Sequence, residues 1–71
     1  MILLKNAKLT LYDKERIIIE FYTKIIEIKE DLIIIDQYII NGSKLIIKKM
    51  DKCIIEIEGQ IKNIVLGENN V

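Results

Sequence analysis

Nineteen of the 71 residues are isoleucine and none is proline. Isoleucine is branched at Cβ and stiff about χ1, so it loses rotamer freedom in a helix and packs well on a pleated strand. A chain this rich in it is pushed toward β-structure before any pattern is read. The pattern agrees, because residues of like kind alternate with a period of two. Over 16–22, Ile17, Ile19 and Phe21 share one face, and Ile18, Glu20 and Tyr22 the other. Over 44–48, Leu45 and Ile47 oppose Lys44, Ile46 and Lys48. The cleanest run is 52–61, where Cys53, Ile55, Ile57, Gly59 and Ile61 oppose Lys52, Ile54, Glu56, Glu58 and Gln60. Strands are predicted at 7–12, 16–22, 24–29, 31–36, 38–41, 44–49, 52–58 and 60–66.

A helical reading competes over one stretch. Ile18, Phe21, Tyr22, Ile25, Ile28, Lys29 and Leu32 follow three-and-four spacing, with Asp13 as an N-cap, so 14–30 stays open between strand and helix. Elsewhere strands of four to seven residues with one to three residues between them leave no room for crossover helices. The expected fold is all-β: a single small antiparallel meander, sandwich or half-barrel of about seven to eight short strands, with a short β-solenoid as the alternative. Asn41-Gly42 is the strongest turn signal. Residues 1–67 read as one β domain and 68–71 as a tail.

Isoleucine is more abundant than one face requires. Ile18, Ile25, Ile33, Ile35, Ile40, Ile46 and Ile54 fall on the face opposite the expected core. A solvent-facing sheet surface should be polar. Ile18, Ile25, Ile33, Ile35, Ile46 and Ile54 are therefore candidate interface residues, unless both faces are covered within a sandwich.

Chemistry is sparse. The chain has no histidine, one cysteine and equal numbers of basic and acidic residues, 11 each. That removes the usual general base, the commonest zinc ligand and any internal disulfide, and it weighs against nucleic acid as a partner. Glu56 and Glu58 share a strand face about 7 Å apart, which reads as a solvated face rather than an acid–base pair. Cys53 alternates with core positions and reads as a buried thiol. Lys44, Lys48, Lys49 and Lys52 form a small basic cluster, read as solubilising. The aromatic residues are too scattered to stack bases. No catalytic, metal or cofactor-binding residue is expected, and no apolar run approaches the length of a membrane helix. The expected location is the cytoplasm.

Three segments resemble a known family. Ile19-Glu20-Phe21-Tyr22-Thr23-Lys24-Ile25-Ile26-Glu27-Ile28 is similar to an early I-E-N-(Y/H)-x-G-(I/L) segment, without its glycine. Asn41-Gly42-Ser43-Lys44-Leu45-Ile46-Ile47 is similar to a G-x-x-L-x-I turn and strand. The stretch from Ile55 through Gly59 and Ile61 to Leu66 is similar to a closing I-x-I-x-G-x-I-x-x-(I/L) signature. These segments resemble the YabP/YqfC family of sporulation proteins. The resemblance implies a small non-enzymatic protein of the mother cell, linked to spore envelope or coat assembly. It also implies, for a YqfC-like branch, a membrane-protein partner at the forespore surface. Gly42 would then serve a tight turn, and Gly59 a bulge or close backbone approach. The expected function is structural, through sheet self-association into a homo-oligomer or through partner binding. The alternative is a small nucleic-acid-binding barrel of the OB or Sm-like kind.

Overall fold

The computed structural model describes residues 7–67. It contains six strands: β1 (Lys8–Asp13), β2 (Arg16–Glu20), β3 (Ile25–Ile28), β4 (Leu32–Ile35), β5 (Tyr38–Met50) and β6 (Ile54–Leu66). They form one open antiparallel sheet in the order β1-β2-β6-β5-β4-β3. The fold is all-β, as the isoleucine content requires, and residues 14–30 are strands and turns rather than helix. The solenoid alternative fails because neighbouring strands run antiparallel.

Six strands do the work of the eight expected because two of them are long and bent. The predicted strands at 38–41 and 44–49 are the two halves of β5, and those at 52–58 and 60–66 are the two halves of β6. The β5–β6 register shifts between Asn41 and Gly42, between Ser43 and Ile46, and between Ile47 and Lys49. Bulges of this kind bend a strand and raise its twist. Asn41-Gly42 is therefore not a hairpin turn but a crease inside a strand. Gly42 is needed because a Cβ there would collide with the Gln60 carbonyl oxygen. Gly59 is the close backbone approach rather than the bulge that the resemblance allows: it stands alone opposite the bulged Lys44 and Leu45, its φ is +145°, and a Cβ would lie 2.6 Å from the Lys44 carbonyl oxygen. Lys44 itself sits at φ +54° to complete the crease.

The two creases give two layers of four half-strands each. The first layer is β1, β2, the first half of β6 and the second half of β5. The second layer is β3, β4, the first half of β5 and the second half of β6. Each layer anchors one hairpin by its turn. In the β1–β2 turn, Lys14 and Glu15 accept from the N–H groups of Ile61 and Gly59, and Asp13 accepts from the Glu15 N–H at 2.8 Å. In the β3–β4 turn, Glu30 and Asp31 accept from the N–H groups of Leu45 and Gly42.

A short link shows how strongly the sheet is folded. Glu20 ends β2 and Ile25 begins β3 at the far edge of the sheet, four strand spacings away. In a flat sheet that is about 19 Å, beyond the reach of a five-residue step that also makes a turn. The link instead crosses between facing layers. The Phe21 N–H donates to the Cys53 carbonyl of the first layer, while Asp36 accepts from Thr23 and Lys24 beside the second. Phe21 consequently takes φ +59° and is exposed, against the expectation that it would join Ile17 and Ile19. Tyr22 packs against the core and its hydroxyl donates to the Asp51 carbonyl.

Between the layers lies one core of Ala7, Ile17, Ile19, Ile33, Ile35, Ile40, Leu45, Ile55 and Ile57. Leu9, Ile25, Tyr38, Ile47, Ile61 and Ile64 pack around it. Ile33, Ile35 and Ile40 thus belong to the core and not to a spare face. Gly67 follows the last strand, and the expected tail at 68–71 lies outside the described residues.

Candidate functional site

Register fixes what each layer turns outward. On the first layer, Lys8 stands opposite Glu20, Arg16 opposite Glu58 and Glu56 opposite both Ile18 and Lys49. The Arg16 guanidinium lies 3.6 Å from Glu56 and 3.8 Å from Glu58, and Lys48 lies 3.4 Å from Glu58. Glu56 and Glu58 therefore share a face, as read from the sequence, and that face is a neutralised charge lattice. Ile18, Ile46 and Ile54 sit in it as separated apolar positions.

The second layer differs. Across it runs a row of Glu27, Ile34, Ile39 and Val65, each opposite the next. Beside it runs Leu32, Asn41 and Asn63, with the Asn41 amide donating to Asn63 at 2.8 Å. Ile34 and Ile39 are half-buried by their neighbours, while Val65, Ile26 and Leu66 are exposed. Glu27 is the one charge in these two rows.

Of the candidate interface residues, Ile33 and Ile35 are fully buried between the layers and Ile25 packs against them, so the structure removes these three from any outer surface. Ile18, Ile46 and Ile54 do face outward, but among charges. Ile34, Ile39 and Val65 form the contiguous apolar face and were missed. In Leu32-Ile33-Ile34-Ile35 both parities are apolar, so alternation has no phase. The usable signal was Asn41 and Asn63, whose polarity marks the parity of Ile39 and Val65 as the outer one.

Cys53 is exposed in the β5–β6 turn, which corrects its reading as a buried thiol. Its alternation with Ile55 ends where the β2–β6 ladder ends. A cleft of about 350 Å³ opens beside the β1–β2 turn, with Asp13, Glu15, Arg16, Lys44 and Glu58 among its lining residues. Within it Arg16 pairs with Glu58 at 3.8 Å, and charges of both signs line its mouth. Among the described residues no buried side-chain nitrogen or oxygen lacks a partner, and no group of three or more Cys, Asp or Glu side chains could hold a metal ion. No helix among them is long and apolar enough to cross a membrane. Comparison of the chain with family models, with curated proteins and with solved structures finds no match.

Proposed function

We propose that the chain is a non-enzymatic structural protein that acts by protein–protein contact, as an assembly part of the spore envelope or coat. The observation that carries this reading is the outer face of the second layer, where Ile34, Ile39 and Val65 adjoin one another and nothing among the described residues covers them. A contiguous apolar surface on a small domain marks an interaction site more often than scattered apolar residues do. The resemblance of three segments to the YabP/YqfC proteins points to the same role. It supplies the setting of a mother cell, with the partner either a further copy or a membrane protein at the forespore surface.

Electrostatics weigh against the nucleic-acid alternative. Lys48 is engaged by Glu58 and Lys49 stands opposite Glu56, so two of the four lysines in the cluster face carboxylates of their own sheet, and the chain as a whole carries no net positive charge. Sedimentation across a wide concentration range, combined with pull-down and identification of bound proteins, is expected to show self-association or a specific partner. A strict monomer without a partner overturns the proposal. So does salt-sensitive binding of single-stranded DNA or RNA, which would favour the barrel reading.

A further inference from the structure

An exposed strand edge leaves backbone donors and acceptors for water or for another strand, and proteins blunt such edges with charge, shortness or bulges. The folded sheet has four edges. β3 is four residues long and bulged, β1 is bulged before Asp13, and the second half of β5 is bulged and carries Lys48 and Lys49. The second half of β6 is bulged at Lys62, but its end beyond that bulge is different. Asn63, Ile64, Val65 and Leu66 pair with β5 in unbroken register, carry no charge, and have no strand on their other side among the described residues.

The hydrogen-bond phase of that edge follows from one contact. Gly67 donates to the Gln37 carbonyl at 2.7 Å, one step beyond the Leu66–Tyr38 pair. In an antiparallel ladder bonded and non-bonded pairs alternate. Asn63, Val65 and Gly67 therefore turn their backbone groups toward β5, and Ile64 and Leu66 turn theirs to the open side.

We infer that two copies of this chain pair edge to edge through the second half of β6, antiparallel about a two-fold axis at Val65. This rests on the proposed structural role and names its partner. About that axis Ile64 meets the partner's Leu66, and Leu66 the partner's Ile64. Each pair exchanges two N–H···O bonds, so all four free groups on each copy are satisfied. Val65 then faces its own counterpart in a non-bonded pair, the closer of the two spacings. The occupant is a second copy because the edge is its own complement: the phase is symmetric about Val65 and no like charges meet. The outer row of Ile34, Ile39 and Val65 also continues into the same row of the partner. Val65 and Leu66, 46% and 66% exposed in the single chain, become covered. A pairing this short is small beside the roughly 1,600 Å² of a standard interface, so the dimer forms in a concentration-dependent equilibrium.

The test uses the full chain with Cys53→Ser. Val65→Cys in that background is expected to form a disulfide-linked dimer under mild oxidation. Asn63→Cys is not, because four residues of strand, about 13 Å, separate it from its counterpart. Leu66→Pro removes an open-side N–H without touching the β5 ladder, a position where an edge strand tolerates proline. It should weaken self-association by at least about tenfold while circular dichroism stays unchanged. Equal cross-linking at positions 63 and 65, or undiminished association of Leu66→Pro, overturns the pairing while leaving a structural role standing. A monomer up to about 1 mM that still captures a specific partner does the same. A monomer that captures nothing overturns both.

Discussion

The first layer sets Lys8 opposite Glu20, Arg16 opposite Glu58 and Lys49 opposite Glu56, whereas the second sets Ile34 opposite Ile39 and Ile39 opposite Val65. Both outer faces contain isoleucine. On the first, Ile18, Ile46 and Ile54 are interrupted by charges, so a partner would have to desolvate those charges to reach them. On the second, the apolar side chains adjoin, and covering them gains about 25 cal/mol per Å² without that cost. Contiguity, rather than the number of isoleucines, separates a solvated face from a contact face.

The sharpest way to break the comparison is to remove the crease that creates two layers. Gly59→Ala would combine a left-handed φ with a Cβ 2.6 Å from the Lys44 carbonyl oxygen and 2.9 Å from the Leu45 side chain. Backbone strain and overpacking together cost about 4 kcal/mol, a large part of a small domain's stability. Urea denaturation should find the variant largely unfolded; a loss under about 1 kcal/mol would show that the bend does not depend on glycine. Next in size is the contrast between inner and outer isoleucines. Ile35→Ala, at a fully buried site, should cost about 3 kcal/mol. Ile18→Ala, half-buried between Thr10 and Glu56, should cost less than half as much. Equal costs would mean that Ile35 and Ile18 are not on opposite sides of the sheet.

The contrast was only partly legible in the sequence. Where polar residues alternate with isoleucine, as in Ile54 to Glu58, parity was plain: Ile55 and Ile57 are core, and Glu56 and Glu58 face outward. In the run from Leu32 to Ile35 parity has no phase until a second layer covers one side, so alternation alone places Ile33 and Ile35 outward although both are buried. The creases were hidden for a related reason. A glycine that lets a strand bend and one that makes a hairpin are the same residue, and only the ladder continuing past Gly42 tells them apart. For Gly59 the family resemblance allows a bulge or a close backbone approach, and the ladder, with Lys44 and Leu45 opposite one glycine, selects the close approach.

The smallest effect belongs to the charged face. Arg16 lies 3.6 Å and 3.8 Å from Glu56 and Glu58, and its side chain is 49% exposed. Ion pairs this loose and this wet are worth less than about 1 kcal/mol. Arg16→Gln keeps much of the side chain's reach and removes the charge, leaving Glu56 and Glu58 with Lys48 and the facing Lys49. At low ionic strength the variant should be slightly less stable than the parent. In about 1 M salt, where the screening length falls to about 3 Å, the difference should vanish. A cost that persists in salt would mean that Arg16 stabilises the sheet by packing its aliphatic stem over Ile18 rather than by charge. Self-association should be unchanged at either salt concentration, because the β6 edge belongs to the other layer. If Arg16→Gln altered the dimer as strongly as Leu66→Pro, the charged face would be part of the contact and the division between the two faces would fail.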